Sequence, residues 1–193
     1  MGADKKNGSS GLAGLEALLK EQATDRLPPV EMWNPPYCGD IGMRIRNDGV
    51  WFYQGSPIGR KPLVRLFSRV LRKDADGRHY LVTPVEKVDV AVDDAPFLAV
   101  EMDVSGAGED QVLTFRTNVD DVVRCGRDHG LRFVEEMPSG GLKPYLRVRG
   151  RLDALVTRAL YYDLVELAVA SADSPDTLVV WSEGVPFPVV RAV

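Results

Sequence analysis

The chain has 193 residues, 45% of them hydrophobic, with 24 Lys and Arg against 28 Asp and Glu and a formal charge of −4. That length holds one domain or two small ones, and that hydrophobic share supports a sizeable core, which argues against global disorder. The acidic balance excludes the broad basic surface of a general nucleic-acid binder, though not a local basic pocket.

The opening, MGADKKNGSSGL, is polar and lacks the apolar stretch of a secretory signal, so a frayed tail is expected. Lys6 stands where a myristoylation pattern wants Ser or Thr. No apolar run approaches the roughly 20 residues that cross a bilayer, so no membrane insertion is expected. Cys38 and Cys125 lie far apart without a Cys-x-x-Cys spacing, the pattern of a reduced, cytoplasmic protein.

In chain order, Leu12, Leu15, Leu18 and Leu19 predict a short N-terminal helix that stops before Pro28-Pro29. LPPVEMWNPPYCGD follows as a loop, because its four prolines forbid regular structure, and Trp33 is expected to pin it. GMRIRNDGVWFYQGSPI reads as a hairpin turning at Asn47-Asp48-Gly49. KPLVRLFSRVLRK places Leu63, Leu66, Phe67, Val70 and Leu71 at helical spacing, with Pro62 suited to the first turn. Strands are expected near 79–84, 86–92 and 97–104. SGAGED at 105–110 reads as a linker, followed by strands near 111–117, 119–125 and 131–136 and by the extended KPYLRVRG. RLDALVTRALYYDLVELAVA sets Leu152, Leu155, Val156, Ala159, Leu160, Leu164 and Leu167 on one face and predicts a helix capped by Asp153. Two short strands close the chain.

The order hairpin, helix, strand, turn, strand occurs twice, over about 43–92 and 131–190. LVTPVEKV and LVVWSEGV agree at Leu81/Leu178, Val82/Val179, Glu86/Glu183 and Val88/Val185, and 113–135 echoes 79–101. The fold class expected is therefore α+β, with two related modules of antiparallel sheet plus one helix each, an internal duplication. The division expected is a tail and N-terminal helix at 1–27, a first module at 28–104 and a second at 105–193. A groove between two such modules is a favoured place for a ligand.

The chemistry is sparse. GSPIGRKP brings Arg60 and Lys61 to a helix start, where backbone N–H groups favour an anion. The glycine spacing is not that of a Walker A loop, and a tight turn with solvated cations is the competing reading. Arg147 and Arg149 share one strand face, next to Arg151, and either hold an anion between them or pair with local carboxylates. Trp51, Tyr53 and Tyr145 are candidates to stack on a planar ligand, or else are core aromatics. Glu86 and Lys87 are placed at the groove edge. His79 and His129, in turn contexts, argue against a histidine zinc site, and no Gly-x-Ser-x-Gly elbow occurs. Asp89, Asp93 and Asp94 read as an exposed strand and turn more readily than as a cation site, so no metal is expected.

The stretches WNPPYCGDIGMRIRNDGVWFYQGSPIGRKPLVRLFSRVL, YLVTPVEKV, FRTNVDD and KPYLRVRGRL resemble a bacterial family catalogued as a domain of unknown function, over nearly the whole chain from Pro28. The resemblance implies a duplicated core, a second domain superficially like pleckstrin-homology folds, a nucleotide-like ligand between the domains and a role in signalling. It establishes no reaction and leaves the cofactor unknown. The expectation is thus a cytoplasmic protein that binds an anionic, nucleotide-like small molecule. Two alternatives stand beside it: an enzyme on such a metabolite with Glu86 or Asp120 as base, and a protein-interaction adaptor.

Overall fold

The computed structural model describes residues 26–171 and 176–191. The N-terminal helix expected from Leu12 to Leu19 lies outside them. The chain divides into two compact units, the first running to Ala91 and the second from Val92, with the turn Arg46–Gly49 counted in the second. β7 (Phe97–Ser105), which the sequence division leaves in the first module, is hydrogen-bonded within the second unit's sheet.

In the first unit, a short 3-10 turn at Val30–Met32 leads to β1 (Tyr37–Ile45), β2 (Trp51–Tyr53) and β3 (Ser56–Pro57). The helix α1 (Lys61–Arg69) follows, then β4 (Leu71–Lys73), β5 (His79–Val82) and β6 (Lys87–Val92). Gly49, at φ 77°, closes the expected β1–β2 turn in a conformation that disfavours a side chain. Pro62 sits in the first turn of α1, where a missing N–H costs nothing. α1 buries Leu63 and Phe67, and the Phe67 ring stacks on Trp51 with centroids 6.5 Å apart. Burying each such side chain stabilises by roughly 1.5–3 kcal/mol. Arg72 fastens the proline-rich loop by donating to the carbonyls of Val30 at 2.6 Å and Trp33 at 2.7 Å. The anchor is thus the Arg72 guanidinium acting on backbone carbonyls, where the sequence points to the Trp33 side chain.

The second unit continues with β8 (Val112–Thr117), β9 (Val122–Arg124), β10 (Leu131–Glu136), β11 (Gly141–Arg149) and β12 (Leu152–Val156). Then come α2 (Arg158–Glu166), β13 (Val169–Ala170), β14 (Thr177–Ser182) and β15 (Val185–Arg191), the last three forming their own antiparallel sheet. The helix expected from Asp153 onward is therefore half strand. Leu152, Ala154 and Val156 are buried while Asp153 and Leu155 between them are half-buried, a period of two. β12 pairs with β11 on one side and, in parallel, with β7 on the other, through Ala154↔Phe97 and Val156↔Ala99. Thr157 takes the N-cap place in extended conformation, and Asp153 pairs with Arg132 and Arg147.

Duplication is visible in the sheets. The first runs β3-β2-β1-β6-β5-β4 and the second, read from its other edge, β9-β8-β7-β12-β11-β10. Adding six to each strand number of the first gives the second. The repeat thus pairs β1–β6 with β7–β12, a different register from 43–92 against 131–190. α1 interrupts its sheet between β3 and β4, whereas α2 follows a completed one.

Candidate functional site

The residues singled out by sequence divide between the two units. In the first, Arg60 is the exposed N-cap of α1 and Lys61 its exposed first residue. Trp51 is 1% exposed and offers no face to a ligand. Tyr53 is half-buried, its hydroxyl accepting from Gln54 at 3.2 Å. Glu86 is buried in the turn closed by its own N–H donating to Thr83 Oγ1 at 3.1 Å, not at an open edge. Lys87 Nζ lies 3.1 Å from Asp74 and 4.5 Å from the centre of the Tyr80 ring. This belongs to a polar face where cross-strand register sets Arg72 opposite Tyr80 and Tyr80 opposite Asp89. Asp89 accepts from Tyr37 and pairs with Arg78 at 2.6 Å, while Tyr80 donates to Asp76 at 2.6 Å. The Asp76 hydrogen bond and burial push the Tyr80 hydroxyl up to about 12.

In the second unit the basic strand is neutralised. Arg147 Nε lies 2.6 Å from Asp153 and its Nη1 donates to Gly150 O at 2.8 Å. Arg149 Nη1 lies 2.5 Å from Asp121, and the guanidinium sits 5.0 Å from the centre of the Phe97 ring. A β-bulge falls between Arg147 and Arg149. Tyr145 is buried, donates to Asp94 at 2.7 Å and carries the Arg132 guanidinium 4.3 Å from its ring centre. Burial and then Asp94 raise its hydroxyl to about 12. Asp120, the alternative base, is held by Arg116 at 2.6 Å. Among the described residues no group of His, Cys, Asp and Glu is placed to hold a metal.

A cleft of about 500 Å³ opens in the second unit between α2 and the β11–β12 pair. Leu142, Pro144, Leu155 and Val156 give it an apolar floor, and Tyr161, Tyr162, Arg158, Lys143 and Glu136 furnish its rim. The two tyrosine rings lie 5.8 Å apart at 60°, and Tyr162 is 53% exposed. Arg158 Nε donates to the Tyr162 hydroxyl at 3.1 Å, a contact that raises the guanidinium's pKa. Its terminal amino groups make no hydrogen bond or ion pair among the described residues. Lys143 Nζ bridges Glu136 at 2.8 Å and Asp94 at 3.1 Å, and these two carboxylates hold it firmly protonated.

Sequence reasoning missed this cleft. Tyr161-Tyr162 and Arg158, four residues before Tyr162, fell inside an amphipathic helix reading. Only their i,i+4 spacing hinted at a shared exposed face.

Family models match along most of the chain: "Domain of unknown function (DUF1285), N-terminal domain" over residues 28–95, and "Protein of unknown function (DUF1285), C-terminal domain" over 96–189. The chain belongs to the DUF1285 family. A DUF1285 family protein from Silicibacter pomeroyi DSS-3 has a crystal structure similar to this one, with TM-score 0.84 and 44% identity, covering 92% of this chain and 95% of that one. A DUF1285 family protein from Shewanella baltica OS155 matches with TM-score 0.51 and 26% identity, over 65% of this chain and 91% of its own. No curated protein matches. These findings show the DUF1285 family and its two modules; the pleckstrin-homology likeness of the second module is not confirmed by them. Among the described residues of this DUF1285 chain, no helix is long and apolar enough to cross a membrane.

Proposed function

We propose that this DUF1285 protein is a ligand-binding, regulatory protein, and that the cleft of its second unit takes a small anionic molecule with a flat ring system, of which a nucleotide is one kind. The observation that carries this reading is Arg158, a cation with donors to spare set beside two tyrosines over an apolar floor. The volume of about 500 Å³ suits a small-molecule site, for which roughly 300–1,000 Å³ is usual. An exposed tyrosine face stacks on planar groups, and a guanidinium holds carboxylate or phosphate through paired donors. Ser139 in the lining donates to the Glu136 carbonyl at 3.0 Å and lies 3.5 Å from its carboxylate, too far to activate the hydroxyl as a nucleophile, so binding is favoured over turnover. Two free thiols, one of them exposed, fit work in a reducing compartment such as the cytoplasm.

The test is calorimetric titration of nucleotides and aromatic carboxylates into the wild type and Arg158→Ala. A charge-assisted hydrogen bond is worth about 1.5–3 kcal/mol, so the substitution is expected to weaken the best binder by roughly 10- to 100-fold. The melting temperature should barely move, because Arg158 is exposed. Undiminished affinity in the variant removes the cleft as the site.

A further inference from the structure

We propose that the cleft accepts ligands bearing a single negative charge and rejects polyanions, and that Glu136 sets this limit; the inference rests on the ligand-binding reading above. Of the two cations at the rim, Lys143 is held between two carboxylates, Glu136 at 2.8 Å and Asp94 at 3.1 Å. Together those three groups carry one negative charge in excess. Arg158 supplies the only positive charge at the rim that no carboxylate meets among the described residues. With Arg158 the four groups balance before a ligand enters, so the first anionic group pairs with Arg158 and already leaves the cleft one charge negative. A second has no cation to meet, and the lining around it includes the Glu136 carboxylate. Like charges brought together in this way penalise the wrong ligand more than they reward the right one. A site built for di- or triphosphates shows the opposite arrangement, with several arginines or lysines left open for the oxygens.

The experiment titrates two probe series into the intact protein: adenosine 5′-methylphosphate, AMP and ATP, and a naphthalene monocarboxylate against its dicarboxylate. Within each series the ring system is constant and the negative charge rises. Affinity is expected to fall by roughly tenfold with each step of charge, and Glu136→Gln to reduce that fall to roughly threefold. Raised salt should narrow the discrimination in the wild type, because the rim is open to solvent. Glu136 is exposed, so the variant should fold, and its melting curve verifies that. Equal or tighter binding of ATP than of the methylphosphate, or the same fall in Glu136→Gln as in the wild type, overturns the charge selection while leaving the cleft as a site. Silence from both series overturns the selection and the ligand-binding reading together.

Discussion

Arg149 shows how the same side chain reads differently alone and in place. On sequence, Arg147 and Arg149 are like charges on one strand that either hold an anion between them or pair with local carboxylates. In the fold each meets a carboxylate, Asp153 and Asp121, and Arg149 also lies along the Phe97 ring. Side-chain exposures of 18% for Arg149 and 28% for Asp121 make this a half-sheltered pair. Removing one partner of such a pair strands the other charge. Arg149→Ala is therefore expected to cost about 2 kcal/mol in urea denaturation, while Arg158→Ala costs almost nothing. The reverse order would mean that Arg149 is the side chain kept for a ligand.

At the scale of elements, β12 and α2 share one apolar pattern. Leu152-Asp153-Ala154-Leu155-Val156 satisfies a helical face and an alternating strand equally well, and local spacing cannot choose between them. The choice falls to strand because both edges of β12 find partners, β11 and β7. Helix then starts at Arg158, and the residue it sends fully into the core is Leu164, 0% exposed, with Leu160 only half-buried. Leu164→Ala is expected to cost roughly 2–5 kcal/mol, and Leu160→Ala clearly less. Chemical denaturation of both variants measures this, and a larger loss at Leu160 would show that the buried face of α2 is turned the other way.

For the whole molecule the informative strand is β7. Its composition and the Gly-rich SGAGED that follows suggest the end of a module, yet β7 lies at the centre of the second sheet between β12 and β8. A fragment starting at residue 96 keeps all six strands of that sheet, whereas one starting at 105 loses the strand that joins its two halves. The longer fragment is expected to unfold cooperatively on heating, followed by circular dichroism, and the shorter to show no transition. Equal behaviour of the two would place the module boundary where the linker composition puts it.

What the sequence by itself determined is local. β-rich runs marked the strands from β5 to β10, the Asn47-Asp48-Gly49 turn closed its hairpin, and Pro62 opened α1, because local propensity and turn chemistry need only near neighbours. Its repeated phrases also suggested a duplication, although LVVWSEGV falls in β14 and β15, outside the two six-stranded sheets that repeat. What only the tertiary structure decided depends on residues far apart in the chain. Parallel pairing with β7 turned the start of an expected helix into β12. The shared strand order of the two sheets fixed which segments repeat. Asp121 and Asp94, far back in the chain, came to Arg149 and Lys143 while Arg158 stayed open, since such a charge's partner is set by where the backbone brings its neighbours and not by the residues beside it.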